Sequence, residues 1–214
     1  MKFFSQSFLY DDPWSIVSLA YFLRYPNPYA SHVLTCDVIS RTLTPSGTLL
    51  TTRLILKRGA LPRWAQNIVG RAESWVLEES EVDPLGKMVR CRTKNLDHVK
   101  VMQVEEWVMF RHTPEGKTLQ TTEARIRSGF GWGLTKKIEN HGLNRFKANV
   151  QRSREGVSLI LNLLRQSRLQ TMTLGGAESL SSVLESPDRD NLTSRTSTGA
   201  WARLKSWISP PSPT

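Results

Sequence analysis

The sequence predicts an α+β fold in which a mostly antiparallel sheet of about seven strands is covered by helices on one face. Three observations predict it. Three pairs of strand-like segments are each joined by a short turn, another strand-like segment opens the chain, and a long stretch with helical apolar spacing follows the last pair. Strands in succession followed by a helix are typical of α+β proteins. With 214 residues, the chain is long enough for one domain with a sizeable core.

The first predicted elements are a strand and a short helix. Residues 1 to about 10 alternate in the manner of a strand. The Asp-Asp-Pro-Trp segment that follows predicts an Asp cap with Pro13 at the first helical position. This helix should end near Arg24, because the Pro-Asn-Pro segment at 26–28 prevents its continuation.

The three strand pairs bracket turn sequences at 45–47, 84–86 and 113–116. Between the first and second pairs, "GALPRWAQNIVGR" is too short and too interrupted by glycine and proline to be a strand. We predict a loop there, with one or two helical turns.

A long helix is predicted from about Gly133 to Arg168 and should lie across the sheet. Its apolar stripe consists of Leu134, Ile138, Phe146, Val150, Val157, Ile160, Leu161 and Leu164. After Arg168 the composition changes to Ser, Thr, Gly and Pro with few large apolar residues. Residues 1–168 are therefore predicted to form the folded domain and 169–214 a largely disordered tail.

The net charge of +10 and the pI near 10 indicate an anionic partner: nucleic acid, lipid head groups or an acidic protein. Acidic and basic residues balance in the tail, so the excess belongs to the domain. "SGFGWGLTKK" at 128–137 resembles both a phosphate-binding glycine loop and an RNA-recognition strand. Its place between a hairpin and a helix favours a simpler role, in which the glycines allow a tight passage from strand to helix.

The residues do not indicate an enzyme, a cofactor or a metal site. The two cysteines and four histidines lack metal-ligand spacing. Glu105 and Glu106 are neighbours on a predicted strand and should point to opposite faces, so they do not form an acid/base pair. No segment is apolar enough to span a bilayer, and the N-terminal residues do not resemble a cleavable targeting sequence.

Basic residues form the main candidate site. The set comprises Arg24, Arg53, Lys57, Arg58, Arg63, Lys136, Lys137, Arg145, Lys147, Arg152 and Arg154. For most of them a solvated surface is the simplest interpretation. Arg145 and Arg152 are seven residues apart on the predicted helix and lie on one side, beside the apolar stripe. A solvated surface and a binding site are about equally good interpretations for four of these residues: Arg24, Lys57, Arg145 and Arg152. Trp64 in the loop suits a membrane interface and ordinary core packing equally well.

Several motifs, in the right order, resemble the PRELI family of intramitochondrial phospholipid-transfer proteins. They are "RYPNPYASHV", "TTRLILKRGALPRW", "AESWVLEES", "TKNLDHVKVMQVEEW" and the long terminal helix. The resemblance covers roughly residues 1–168 and leaves the tail outside. Within the family, "RYPNPY", "LPRW" and "NLDH" are similar to the branch that carries phosphatidic acid.

The resemblance implies a curved sheet around a lipid pocket, closed by the long helix and by a mobile lid at the loop. The lid and membrane-contact residues would be Leu61, Pro62, Arg63, Trp64, Ile68 and Val69. The family's head-group positions fall on Arg24, Lys57, Arg145 and Arg152. Arginine at such a site suits a phosphate monoester because it offers a planar fork of donors. Close relatives have a further lysine where this chain has Ala60, which implies a weaker site or a substitute such as Arg58 or Arg63.

The resemblance also implies non-enzymatic transfer of phosphatidic acid in the mitochondrial intermembrane space. Implied partners are anionic membrane surfaces and a small twin-CX9C protein that forms a heterodimer with the carrier. Two alternatives from other classes stay open on the residues alone: a basic nucleic-acid-binding module, which the charge favours, and a membrane-surface adaptor without cargo.

Overall fold

The computed structural model describes residues 1–59, 72–131 and 133–181, with side chains up to residue 168. The chain divides into two units, Met1–Val157 and Ser158–Thr214. The first unit contains the sheet and the site described below. The predicted loop residues 60–71 and most of the predicted tail, 182–214, lie outside the described residues, so these predictions stay predictions.

Seven antiparallel strands form one curved sheet, as predicted. The strands are β1 (Lys2–Tyr10), β2 (Val33–Leu43), β3 (Leu49–Arg58), β4 (Glu73–Asp83), β5 (Met88–Asn95), β6 (Gln103–His112) and β7 (Thr118–Arg127). Their order in the sheet is β1-β7-β6-β5-β4-β3-β2. The three hairpins are consecutive neighbours, and the leading strand pairs with the last one.

Helix α1 (Trp14–Phe22) is the predicted short helix, but the prediction of its start is wrong. Pro13 is the N-cap residue, with extended ψ of 148°, and its carbonyl accepts the N–H groups of Ile16 and Val17 at 3.0 and 3.1 Å. The proline ring restricts φ and offers no polar side-chain atom, so this cap uses backbone alone. A short 3-10 turn, Pro28–Ala30, follows before β2.

Helix α2 (Thr135–Ser181) begins close to the predicted start and continues beyond the predicted end at Arg168. The change to small polar residues after Arg168 suggested an end there. However, residues 169–181 contain no proline, and small or polar residues alone do not remove a backbone hydrogen bond. Within the described residues, no helix is both long and apolar enough to cross a membrane.

The first part of α2 packs on the inner face of the sheet, as the apolar stripe predicted. Phe146 and Val150 form a buried cluster with Ala124 and Ile126 of β7. Phe4 of β1 contacts Phe146 edge-on, with ring centroids 5.2 Å apart. This cluster fixes the distance between helix and sheet at one end of the internal cavity.

Between β7 and α2, Gly129 and Gly133 have the role predicted for the glycines of this segment. Gly133 has φ of +67°, a conformation that residues with a Cβ rarely adopt. A Cβ on Gly129 would lie 3.2 Å from the Lys100 carbonyl oxygen. At the start of α2, the Thr135 hydroxyl donates a hydrogen bond to the Phe130 carbonyl at 2.6 Å.

Candidate functional site

A cavity of about 160 Å³ lies between the inner face of the sheet, helix α2 and the segment that follows α1. Sites that enclose an entire drug-sized ligand measure roughly 300–1,000 Å³, so this cavity is the size of a small polar group. The sheet contributes Lys57, Val76, Glu78, Thr93, Asn95, Val104, Glu106, Val108, Gln120 and Thr122, and α2 contributes Phe146, Asn149, Val150 and Ser153. The remaining wall consists of Tyr21, Arg24, Tyr25, Asn27, Tyr29, Ala30 and His32.

A buried Arg–Glu–Arg triad lies at one side of this cavity. Glu78 on β4 is 0% exposed, and its two carboxylate oxygens accept from Arg24 and from Arg53. The Arg24 Nη2 to Glu78 Oε2 distance is 2.7 Å, and Arg53 Nε donates to Oε1 at 2.8 Å while its Nη2 contacts the same oxygen. Burial raises the pKa of Glu78, but the two guanidinium groups outweigh burial and hold this pKa below its ordinary value. The triad therefore carries one net positive charge.

Arg24 is held in place from several sides, and the residue is only 4% exposed. Its Nη1 donates to the Tyr21 carbonyl at 2.6 Å, and its guanidinium carbon lies 3.7 Å from the centroid of the Tyr21 ring. The Asn27 side chain donates to the Arg24 carbonyl, which holds the backbone after α1. Both ends of the guanidinium fork are thus engaged within the protein. The Arg24 Nε, in contrast, is buried without a hydrogen-bond partner among the described residues.

Lys57 on β3 and His32, the residue before β2, lie next to each other at the cavity, because Lys57 pairs with Val33, the first residue of β2. The pKa of His32 is lowered to about 4, first by burial and then by the charges of Lys57, Arg152 and Arg145. At neutral pH this imidazole is uncharged and can accept or donate a hydrogen bond. The charges of Lys57, Arg145 and Arg152, three of the four predicted head-group residues, therefore act on His32 at this end of the cavity.

Arg145 and Arg152 stand on α2 near this end but do not line the cavity. Arg152 is exposed and donates to Asn149 Oδ1 at 2.7 Å, and Asn149 does line the cavity. Arg145 is half-buried and immediately precedes the cavity residue Phe146. Of the four predicted residues, Arg24 and Lys57 are therefore inside and Arg145 and Arg152 are at the surface. The predicted lid residues Leu61 to Val69 and Ala60 lie outside the described residues.

We predicted a solvated surface position for most of the basic residues, but two of them are buried. The prediction is wrong for these two. Arg53 is 6% exposed and belongs to the triad. Arg154 is 9% exposed, and its guanidinium carbon lies 4.9 Å from the centroid of the Phe8 ring. Alternation along β3 gave a signal for Arg53, because Thr51, Arg53 and Ile55 share the buried face.

Sequence reasoning missed the acidic side of the cavity. Glu106 lines it, and its Oε2 accepts a hydrogen bond from the Thr93 hydroxyl at 3.2 Å. Burial raises the pKa of Glu106, although the charges of Lys57 and Arg24 act in the opposite direction. Glu105 lies on the other face of β6, where it is 3.6 Å from Arg92. The prediction that the two carboxylates face opposite sides is confirmed.

The cavity combines an ammonium group, a neutral imidazole and a triad with a net positive charge. Among the described residues, Lys57 forms no hydrogen bond or salt bridge. Such an arrangement can bind a small anionic group reversibly, with a point charge at Lys57 and hydrogen-bond donors around it.

A family model described as the PRELI-like family matches residues 15–167 of the chain. Protein UPS1, mitochondrial, of Saccharomyces cerevisiae is 36% identical over 162 residues, which cover 75% of this chain and 93% of that protein. The Schizosaccharomyces pombe ups1 homolog is 38% identical over 150 residues, covering 69% of this chain and 88% of that one. PRELI domain-containing protein 1, mitochondrial, of Homo sapiens is 36% identical over 170 residues, 77% of each chain.

The fold is similar to that of a solved structure of distant sequence. The crystal structure of TTHA0849 from Thermus thermophilus superposes with a TM-score of 0.52 at 15% identity, covering 75% of this chain and 97% of that one. At this identity the likeness concerns the fold alone.

Proposed function

The chain belongs to the PRELI-like family, and we propose that it carries phosphatidic acid between mitochondrial membranes, across the intermembrane space, without catalysing a reaction. The head group would bind in the cavity, close to Lys57, with Arg24 behind it and Arg145 and Arg152 at the entrance. Relatives with mitochondrial in their names support the location. The observation that carries the proposal is the internal cavity beside Lys57, a cation that has no ion-pair partner within the described residues.

The size of the cavity supports a head-group site in particular. About 160 Å³ accommodates a phosphate but not two acyl chains, which would extend beyond it. Burying those chains in apolar surroundings contributes roughly 0.8 kcal/mol per methylene and offsets the cost of leaving the bilayer. The positive residues Arg145 and Arg152 would attract an anionic membrane surface, and this attraction weakens as salt is added.

We further propose that a small twin-CX9C protein binds this chain as a heterodimer, and that residues 61–69 contact the membrane. Family resemblance supports both proposals. A basic nucleic-acid-binding module and a membrane adaptor without cargo are the competing functions. Extraction of the purified protein into organic solvent, followed by mass spectrometry, separates them. Stoichiometric phospholipid supports the carrier, whereas tight RNA binding without lipid supports the first competitor and vesicle attachment without transfer supports the second.

Lys57→Glu is the sharpest single test of the head-group site. This change places an acid where the phosphate must lie, so transfer of fluorescent phosphatidic acid between vesicles should fall at least about tenfold. Lys94→Glu is the matched control, because Lys94 lies on the outer face of β5 and the charge change is the same. Transfer by a folded Lys57→Glu protein at the rate of the control would contradict the proposed site.

A further inference from the structure

We propose that Glu106 takes up one proton when the lipid phosphate enters the cavity, and that it thereby sets the pH dependence of head-group binding. This inference rests on the proposed function. It concerns a carboxylate that lines the cavity beside the proposed phosphate position and that no role above explains.

The geometry separates Glu106 from the other acidic residue of the cavity. Glu78 accepts from Arg24 and Arg53 on both of its oxygens and is neutralised by them. Glu106 has no salt bridge among the described residues, and its hydrogen bond is to the uncharged Thr93 hydroxyl. Its carboxylate is thus the acidic group of the cavity whose charge is least compensated.

The groups around Glu106 come from several elements. The charged or titratable ones are Lys57 on β3, Glu78 on β4, Tyr21 and Arg24 at the end of α1, Tyr25 and Tyr29 in the segment that follows, and His32 before β2. Uncharged polar side chains complete the wall from β5, β7 and α2: Thr93, Asn95, Gln120, Thr122, Asn149 and Ser153. Of these groups, Lys57 stabilises the ionised form of Glu106 most strongly, and Arg24 has the next largest effect.

Phosphate binding would change this balance in one direction. Burial already raises the pKa of Glu106 above its ordinary value of 4.5, and Lys57 limits that rise. A phosphate that pairs with Lys57 neutralises the charge that keeps the pKa of Glu106 from rising further. It also adds a second negative charge to a poorly solvated space, so the pKa of Glu106 should rise. One proton then moves from the solvent to a Glu106 oxygen, and the neutral carboxyl can donate a hydrogen bond. No covalent bond of the lipid forms or breaks.

The charges of the cavity agree with this step. With Glu106 protonated, Lys57 and the triad together carry two positive charges, which match a phosphate monoester of −1.5 to −2 at about pH 7. With Glu106 ionised, one of those charges is already offset. The protonated cavity is therefore the better complement of phosphatidic acid.

The test uses the full chain as wild type, Glu106→Gln and Glu105→Gln, with short-chain dihexanoyl phosphatidic acid as the probe. Titration calorimetry in buffers of different ionisation enthalpy measures the protons taken up for each lipid bound. Wild type should take up as much as one proton more than Glu106→Gln, because glutamine is permanently uncharged. Between the pKa of Glu106 in the free protein and its higher pKa in the complex, wild-type affinity should fall by up to about tenfold per pH unit relative to Glu106→Gln. Glu105→Gln, on the opposite face, should match wild type.

Equal proton uptake and equal pH profiles for wild type and Glu106→Gln would overturn this inference and leave the carrier proposal intact. Absence of phosphatidic acid binding to the wild type would instead overturn the proposed function. A second measurement does not depend on the variant's stability. Carbon-13 labelling of the glutamate carboxyl groups of wild type should show one titration midpoint that moves to higher pH on lipid addition, and an unchanged set of midpoints also overturns the inference.

Discussion

Glu78 holds two guanidinium groups on one carboxylate at a position without solvent exposure. Buried charges cost several kcal/mol each unless they are paired and hydrogen-bonded. The register of the sheet places Arg53 directly opposite Glu78, and Arg24 reaches the same group from the end of α1. At the scale of single residues, the wall of the cavity therefore depends on this one acid.

Glu78→Gln should destabilise the protein by about 3 kcal/mol or more, because two buried cations lose their common counter-charge. Glu79→Gln, a neighbouring exposed position on the other face of β4, should change stability little. The free energy of unfolding, measured with urea, checks both. Since the pKa of Glu78 is held below 4.5, its contribution should be complete above that pH and disappear below it as the folded-state group is protonated. Equal stability of the two variants would contradict the prediction.

His32 should make stability depend on pH in a different range. Its pKa falls from 6.5 to about 4 on folding, so between these values the unfolded chain binds more protons than the folded one. Stability should therefore rise with pH from about 4 to 6.5, and this rise should be smaller in His32→Gln. Urea unfolding at several pH values measures it. His112→Gln, at an exposed histidine, is the control, and identical pH slopes for His32→Gln and wild type would refute the assignment.

At the scale of elements, the close approach of α2 to the sheet depends on glycine. A Cβ on Gly142 would lie 2.5 Å from the Met102 sulfur and 3.0 Å from Ile126 Cγ2. A Cβ on Gly156 would lie 2.8 Å from the Asn27 amide nitrogen, which holds the segment after α1. Because these two positions of α2 lack a side chain, the helix can approach Met102, Ile126 and Asn27 closely. This close approach contributes to the shape of the cavity.

Gly142→Ala should lower stability although alanine is the better helix former. The helix gains about 1 kcal/mol in intrinsic preference, but overpacking a buried contact costs roughly 1–3 kcal/mol. Thermal melting followed by circular dichroism measures the balance. Asn144→Ala, on the exposed side of the same helix, should be neutral or slightly stabilising. An increase in melting temperature for Gly142→Ala would show that Met102 moves aside without cost.

At the scale of the whole molecule, the family match ends at residue 167 and the helix continues to Ser181. The cavity is lined only by residues up to Ser153 among those described. Among the described residues, none that follows the family match therefore lines the cavity.

A chain of residues 1–168 should consequently fold and transfer phosphatidic acid as the whole chain does. Circular dichroism reports the folding, and vesicle-to-vesicle transfer reports the function. The full chain, prepared in the same way, is the control. Loss of transfer by a folded 1–168 protein would place a necessary element in 169–214 and refute the predicted domain boundary.

The sequence by itself determined the sheet, its three hairpins and the helical cover, because alternation, turn chemistry and helical spacing act between near neighbours. Through the family resemblance of its motifs, the sequence also pointed to Arg24 and Lys57 as pocket residues. Only the tertiary structure decided that Glu78 forms salt bridges with Arg24 and Arg53, and that Glu106 and His32 line the same cavity as Lys57. These groups are distant in the chain, and strand register brings them together. The charge and hydrogen bonding of a buried group depend on its neighbours in space, which local sequence patterns do not contain.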